Sequence, residues 1–324
     1  MTPYSSPTFF SFPADELAGV PERSAVIAGL MAEFPWVSPK YLYGPLGSRL
    51  FDAITELPEY YPTRTERAVL EACRDSVAHA AGAGTTLIDL GAGNCAKARS
   101  LFQSLKPGQY VAVDMSVEFL RHSMSHLQRD FPHLEMLGIG IDFSAGLRLP
   151  DAVRRDNRLF FYPGSSIGNF TPDEALVFLA DIRAQCAGAH GGGLLIGVDL
   201  VKDTSILQAA YDDDLGVTAA FNLNLLNNLN ALIGSDFAVG DWRHCALFNT
   251  PMSRIEMHLQ AKRDVTVTWP GGARAFAKGQ RIHTENSYKY ALEDFESLLQ
   301  RAGFGQVRAW TDSKDWFALC HAIA

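Results

Sequence analysis

The chain has 324 residues, 47% hydrophobic and 20% charged, which suits one or two packed domains and excludes a disordered chain. A net charge of −8 argues against a general nucleic-acid binder, because neutralising phosphates needs a basic surface. No stretch approaches the roughly 20 apolar residues that cross a bilayer. Met1 to Pro21 lacks the basic and apolar regions of a secretory signal. Cys73, Cys95, Cys186, Cys245 and Cys320 are scattered and form no C-x-x-C pair, a pattern that predicts reduced thiols and a cytoplasmic protein. His122 and His126 stand one helical turn apart with no carboxylate cluster nearby, which predicts an exposed helix face and no metal site.

In chain order, Val69, Leu70, Cys73 and Val77 recur at helical spacing between Thr65 and Ala80. Thr86 to Leu90 reads as a buried strand, followed by a glycine turn and a helix from Ala96 to Leu105. Tyr110 to Asp114 is a second strand, Val117 to Arg129 a helix, and Leu137 to Ile141 a third apolar segment. Arg158 to Tyr162 and Leu194 to Val198 repeat the pattern around a helix from Pro172 to Cys186. Apolar strands alternating with amphipathic helices predict a parallel sheet covered on both faces. The end of the chain differs: a helix from Leu292 to Ala302 precedes Gln306–Trp310 and Trp316–Cys320, two strands close enough to form an antiparallel hairpin. The expected fold is therefore α/β, a class I, Rossmann-like methyltransferase sheet with a C-terminal antiparallel hairpin and a smaller substrate-recognition domain.

Residues 63–204 and 288–324 are assigned to that core. Residues 205–287 fall where only a short connection is needed, so they are expected to form an inserted substrate-binding domain. Residues 1–62 precede the core and are expected to contribute to the same cap, beside the edge where open α/β sheets bind ligands.

Asp89-Leu-Gly-Ala-Gly-Asn94 puts Gly91 and Gly93 in the turn leaving the first strand, where a side chain would block the backbone's approach to a ligand. Ala96 completes a G-x-G-x-x-A pattern, so this loop alone leaves a dinucleotide reading open. Asp114, at the end of the second strand, can accept from ribose hydroxyls in either class. S-adenosylmethionine is favoured by Asp89 just before the loop, by Asp142 and Phe143 where an acid and an aromatic can flank adenine, and by the C-terminal hairpin. Lys97, in the helix after the loop, completes the expected cofactor set.

Beyond the loop the chain carries longer strings: Tyr43-Gly-Pro-Leu-Gly-Ser-Arg-Leu-Phe51, Leu57-Pro-Glu-Tyr-Tyr-Pro-Thr-Arg-Thr-Glu66, Gly164-Ser-Ser-Ile-Gly-Asn-Phe-Thr171 and Asp199-Leu-Val-Lys-Asp203. Ala210 to Asn222, Arg254 to Leu259 and Ile282-His-Thr-Glu-Asn-Ser-Tyr-Lys-Tyr290 continue the series. From residue 40 to the end, the sequence resembles the histidine-specific Nα-methyltransferases that open the ergothioneine pathway. The resemblance implies three successive methyl transfers from S-adenosylmethionine to the α-amine of free L-histidine, giving hercynine. It implies that Asn169 and Tyr211 hold the substrate carboxylate, and that Glu285 and Ser287 hold the imidazole with help from Tyr60. It places Tyr43 and Phe51 at the amine end and Met257 near the imidazole, and Gly164 is counted with this set. Two positions depart from the family pattern: Gly-Ala-Gly-Asn-Cys replaces a loop with Ser and Thr, and Asn286 replaces an apolar residue.

The residues suit that chemistry. Glu285 and Ser287 are two apart in a strand-like segment, so both side chains share one face and can reach both ring nitrogens of an imidazole. Spacing alone favours a solvated edge strand, and the resemblance to the family reverses that reading. Asn169 can donate to a carboxylate, or it can cap the helix that begins near Thr171-Pro172. A tryptophan-like amine as substrate is disfavoured by Glu285, and a ligand-binding protein without turnover by the intact loop. No metal and no obligate protein partner are expected.

Overall fold

The computed structural model describes residues 4, 6–11, 22–143, 146–186 and 192–324. Most of Met1 to Pro21, examined above for a signal, lies outside the described residues. Along the chain run β1 (Thr8–Ser11), α1 (Glu22–Met31), α2 (Pro45–Thr55), α3 (Tyr61–Ala81), β2 (Thr86–Leu90), α4 (Ala96–Leu105), β3 (Gln109–Asp114), α5 (Val117–Asp130) and β4 (Glu135–Gly140). Next come β5 (Arg158–Tyr162), α6 (Pro172–Gln185), β6 (Gly193–Asp199), α7 (Thr204–Ala209) and α8 (Val217–Ile233). The remainder holds β7 (Trp242–Asn249), β8 (Arg254–Ala261), β9 (Val265–Trp269), β10 (Gly272–Phe276), β11 (Arg281–Tyr288), α9 (Leu292–Arg301), β12 (Val307–Thr311) and β13 (Phe317–Ile323). The chain divides into two compact units.

The first unit comprises residues 1–18, 62–201 and 290–324. Its sheet has the order β1-β4-β3-β2-β5-β6-β13-β12, in which β13 alone runs against its neighbours. This is the class I methyltransferase sheet expected from the sequence, hairpin included. Every residue of β2 and β5 is buried, because helices cover both faces of a parallel sheet. In α4, Ala98, Leu101, Phe102 and Leu105 return to one side at the helical period and bury there. A capping box starts α6: Glu174 N–H donates to Thr171 Oγ1 at 3.3 Å and Thr171 N–H to the Glu174 carboxylate at 2.8 Å. The cap is thus Thr171, which leaves Asn169 out of that role. His122 and His126 are both exposed on α5.

Thr8–Ser11, grouped above with the N-terminal cap segment, instead add a parallel strand to the outer edge of β4. The edge offers unpaired backbone groups, and Gly138 leaves room for an aromatic: a Cβ there would lie 2.3 Å from the Phe9 ring.

The second unit comprises residues 19–61 and 202–289. Its three-stranded antiparallel sheet has the order β11-β8-β7, and β9 and β10 form a separate hairpin. The helix α8 buries Phe221, Leu225, Leu226, Leu229 and Ile233, and packs on β7, β8 and α2. A bulge between His283 and Glu285 shifts the register of β11, so that Ile282 stands opposite Leu259 and Glu285 opposite Met257.

Candidate active site

In the first unit the expected cofactor residues cluster at the carboxyl ends of adjacent parallel strands, the edge where open α/β sheets bind ligands. Gly91 and Gly93 follow β2 at φ of 70° and 52°. A Cβ on Gly91 would meet no protein atom within 4 Å, so backbone conformation, and not crowding, requires the glycine. The Asp114 carboxylate accepts from Gly93 N–H at 2.9 Å and from Ser116 N–H at 2.8 Å, which fixes its orientation and leaves lone pairs for further donors. Ile141 N–H bonds to the Asp114 carbonyl at 3.2 Å, so Asp142 and Phe143 emerge beside it. The Phe143 ring packs edge-on against Tyr162, 5.9 Å between centroids. An open glycine turn with an oriented carboxylate at the next strand end fits an adenosyl group. Asp89 is fully buried and accepts from Tyr110 Oη at 2.8 Å; burial pushes its carboxyl up to about 7.

Lys97 sits in the first turn of α4, its ammonium 2.5 Å from the Glu66 carboxylate, whose other oxygen accepts from Gly164 N–H at 2.6 Å. Gly164 lies at φ 80° in the turn after β5. Half-buried Asn169 ends the short 3₁₀ turn Ser166–Asn169 that follows.

The second unit brings together the other expected residues. Tyr43, Phe51, Tyr60 and Tyr211 form a chain of edge-on aromatic contacts with centroids 5.7 to 6.2 Å apart. Phe221 joins it from α8, 5.4 Å from Tyr43 and 6.0 Å from Phe51. At the polar end Tyr43 Oη donates to Glu285 Oε1 at 3.5 Å, and Tyr211 Oη and Ser287 Oγ are hydrogen-bonded at 2.7 Å. Met257 is buried on β8 directly opposite Glu285. Burial raises the Glu285 carboxyl to about 7, against a lowering pull from Lys289 and Tyr43. Burial also holds the Tyr43 phenol well above its usual range.

The profile of a family described as "Histidine-specific methyltransferase, SAM-dependent" matches residues 22–324. The chain belongs to this family. The methyltransferase is 38% identical over 308 residues to "Histidine N-alpha-methyltransferase" of Mycolicibacterium smegmatis, covering 93% of this chain and 94% of that relative. The relative of the same description in Mycobacterium tuberculosis is 37% identical over 303 residues, covering 92% and 93%. "Ergothioneine biosynthesis protein 1" of Neurospora crassa is 32% identical over 285 residues, which are 85% of the methyltransferase and 32% of that longer protein.

Three residues of the methyltransferase were missed as site candidates although each lies within the strings quoted above. Lys289 donates to Tyr211 Oη at 3.0 Å and to Ser287 Oγ at 2.8 Å. It continues the alternation of Glu285 and Ser287, so period two carried one step further finds it. Glu66 and Phe221 send no such local signal. Asn286, the departure from the family pattern, pairs with Glu256 on the opposite face of β11 and leaves the Glu285 face untouched. Among the described residues no group of three or more His, Cys, Asp or Glu side chains could hold a metal ion, and no helix is long and apolar enough to cross a membrane.

Proposed function

We propose that the enzyme transfers three methyl groups in succession from S-adenosylmethionine to the α-amino nitrogen of L-histidine, giving hercynine. The observation that carries this reading is Glu285 and Ser287 side by side on one buried face of β11, at the end of an otherwise aromatic enclosure. A carboxylate and a hydroxyl held there match the two nitrogens of an imidazole. An aromatic side chain lacking them would leave buried polar groups unpaired, which is strong grounds for rejection.

When bound, S-adenosylmethionine supplies an activated methyl on a sulfonium, so no covalent protein nucleophile is required. The protein's work is positioning, worth up to about 7–11 kcal/mol when the geometry is good. Asp114, Gly91 and Gly93 are assigned to the adenosyl group, with Asp89, Lys97, Asp142 and Phe143 in support. Tyr211 is assigned to donate to the substrate carboxylate, and Asn169 offers an amide with the same capacity. Tyr43, Phe51 and Tyr60 present π faces suited to an amine that becomes a quaternary ammonium, and Met257 packs beside the ring. The second unit is thereby the substrate-recognising part of the chain. The five free thiols accord with a cytoplasmic setting.

The test is mass spectrometry of purified protein incubated with S-adenosylmethionine and a mixture of amino acids. Mono-, di- and trimethylated histidine should accumulate, with NMR locating every methyl on the α-nitrogen. Ring methylation, or preference for another amino acid, overturns the proposal.

A further inference from the structure

Lys289 is buried, 2% exposed, at the end of β11. Its backbone is pinned from both sides: its N–H bonds to Ser253 O at 2.8 Å and its carbonyl accepts from Ser253 Oγ at 2.8 Å. The ammonium therefore enters the second unit at a fixed place and closes a triangle with Tyr211 Oη and Ser287 Oγ, all sides between 2.7 and 3.0 Å.

Proton counting gives that triangle a direction. An ammonium has donors and no acceptor, so both hydroxyl oxygens must accept from Lys289. The bond between the hydroxyls uses one of their two protons. The second proton can point neither at the ammonium nor into the same bond, so it is directed at an acceptor outside the triangle. A phenol is the stronger acid, so an incoming carboxylate draws the Tyr211 proton, and Ser287 then donates to Tyr211. Ser287 is left offering a lone pair, which suits a ring N–H. The ammonium contributes this order, because a hydroxyl rotor turns to suit the partners around it.

The same ammonium is hydrogen-bonded to Ser287, the neighbour of Glu285 on this face, and pulls against the burial that has raised the Glu285 carboxyl to about 7. The titratable groups on this side of the sheet include the phenols of Tyr43, Tyr60 and Tyr211, Lys289, and His244, which burial pushes below the usual histidine range against the opposing pull of Asp212 and Asp213. Met257, opposite Glu285, is neutral, while Glu256, His258 and His283 belong to the other face. Lys289 is thus the cation on this side that, together with the Tyr43 hydrogen bond, favours the carboxylate form.

We propose that Lys289 is a positioning residue for the amino-acid substrate: its ammonium orders the hydroxyls of Tyr211 and Ser287 so that one donor points outward, and it supplies the buried counter-charge for Glu285. This rests on the histidine reading above.

The experiment is steady-state kinetics of Lys289→Met and Lys289→Arg beside the wild type, varying histidine and S-adenosylmethionine separately across the neutral pH range. In Lys289→Met the KM for histidine should rise about tenfold or more, as befits loss of charge-assisted hydrogen bonds. The KM for S-adenosylmethionine should stay within about twofold, since that substrate is assigned to other residues. The acidic limb of kcat/KM for histidine should move up by about one pH unit, and Lys289→Arg should return it. A folded Lys289→Met with unchanged KM for histidine and an unchanged limb overturns the inference. Should that variant not fold, Lys289→Gln, which keeps a donor without the charge, decides by the same two readouts. A wild type inactive on histidine fails the parent reading instead. Carbon-13 NMR titration of Glu285 in the ligand-free protein still tests Lys289 in that case: a carboxyl titrating alike in wild type and variant overturns its role as counter-charge.

Discussion

The Lys97 ammonium lies 2.5 Å from the Glu66 carboxylate, which is buried and also accepts from the backbone N–H of Gly164 at 2.6 Å. One side chain at the start of α3 thus ties together the helix that follows the Gly91–Gly93 turn and the loop that follows β5. Gly197 makes room for it, since a Cβ there would lie 2.3 Å from Glu66 Oε1 and 3.0 Å from the Phe317 ring. Glu66→Gln replaces one acceptor by a donor facing a donor and should cost about 1–3 kcal/mol. Both the melting temperature and the affinity for S-adenosylmethionine should fall, and Gly197→Ala should do the same by displacing the carboxylate. Calorimetry with S-adenosylhomocysteine and thermal melts measure the two effects; unchanged affinity in a stably folded Glu66→Gln would refute the tie to the cofactor edge.

Asp114 offers the second test. Its two oxygens are oriented by Gly93 and Ser116 amides, so the carboxylate is set before any ligand arrives. Asp114→Ala should weaken S-adenosylmethionine binding by about 1.5–3 kcal/mol, the range for hydrogen bonds to a charged group. The KM for histidine should change much less. Binding of NAD by the wild type, with none of S-adenosylmethionine, would sink the cofactor assignment.

For Glu285→Ala the loss should fall mainly on the KM for histidine, by roughly 1.5–3 kcal/mol. The contact lies on the side chain of the substrate and is made alike in ground and transition states, so kcat should move little. Competition between histidine and an aromatic amino acid without ring nitrogens reads out selectivity. Discrimination equal to that of the wild type would mean that selectivity resides elsewhere in the aromatic enclosure.

A pH effect on stability follows from Asp89. Burial first, opposed by the Tyr110 hydrogen bond and Lys97, raises its carboxyl from the usual range to about 7. The folded protein therefore keeps a proton that the unfolded chain has released above about pH 4. Its contribution is full below that pH and is lost as pH rises through about 7. Asp89→Asn keeps an acceptor for Tyr110 and removes the ionisation. At about pH 8 the ligand-free variant should be more stable than wild type by on the order of 4 kcal/mol, and at about pH 4 the two should nearly coincide. A stability difference that does not change with pH would contradict the raised carboxyl.

Much of this protein is written locally. Thr86–Leu90, Ala96–Leu105 and Arg158–Tyr162 appear in the structure with the limits their periodicity predicts, because a strand or helix buried on the sheet needs its apolar residues at that element's own repeat. The turn at Gly91 and Gly93 and the carboxylate of Asp114 are legible for the same reason: each follows directly from its own strand. What tertiary structure alone decided depends on residues far apart in the chain. The pairing of Thr8–Ser11 with β4 needs an open edge and the missing side chain of Gly138. Lys289 and Tyr211 are 78 positions apart, and Glu66 and Gly164 98. The bulge after His283 is the sharpest case. An unbroken alternation from Ile282 would have sent Glu285 and Ser287 to the opposite face; one extra residue in β11, Thr284, turns them to the side of Met257, Tyr43 and Tyr211. Local propensity fixes which way a side chain alternates, and only the pairing of β11 with β8 fixes which face is buried.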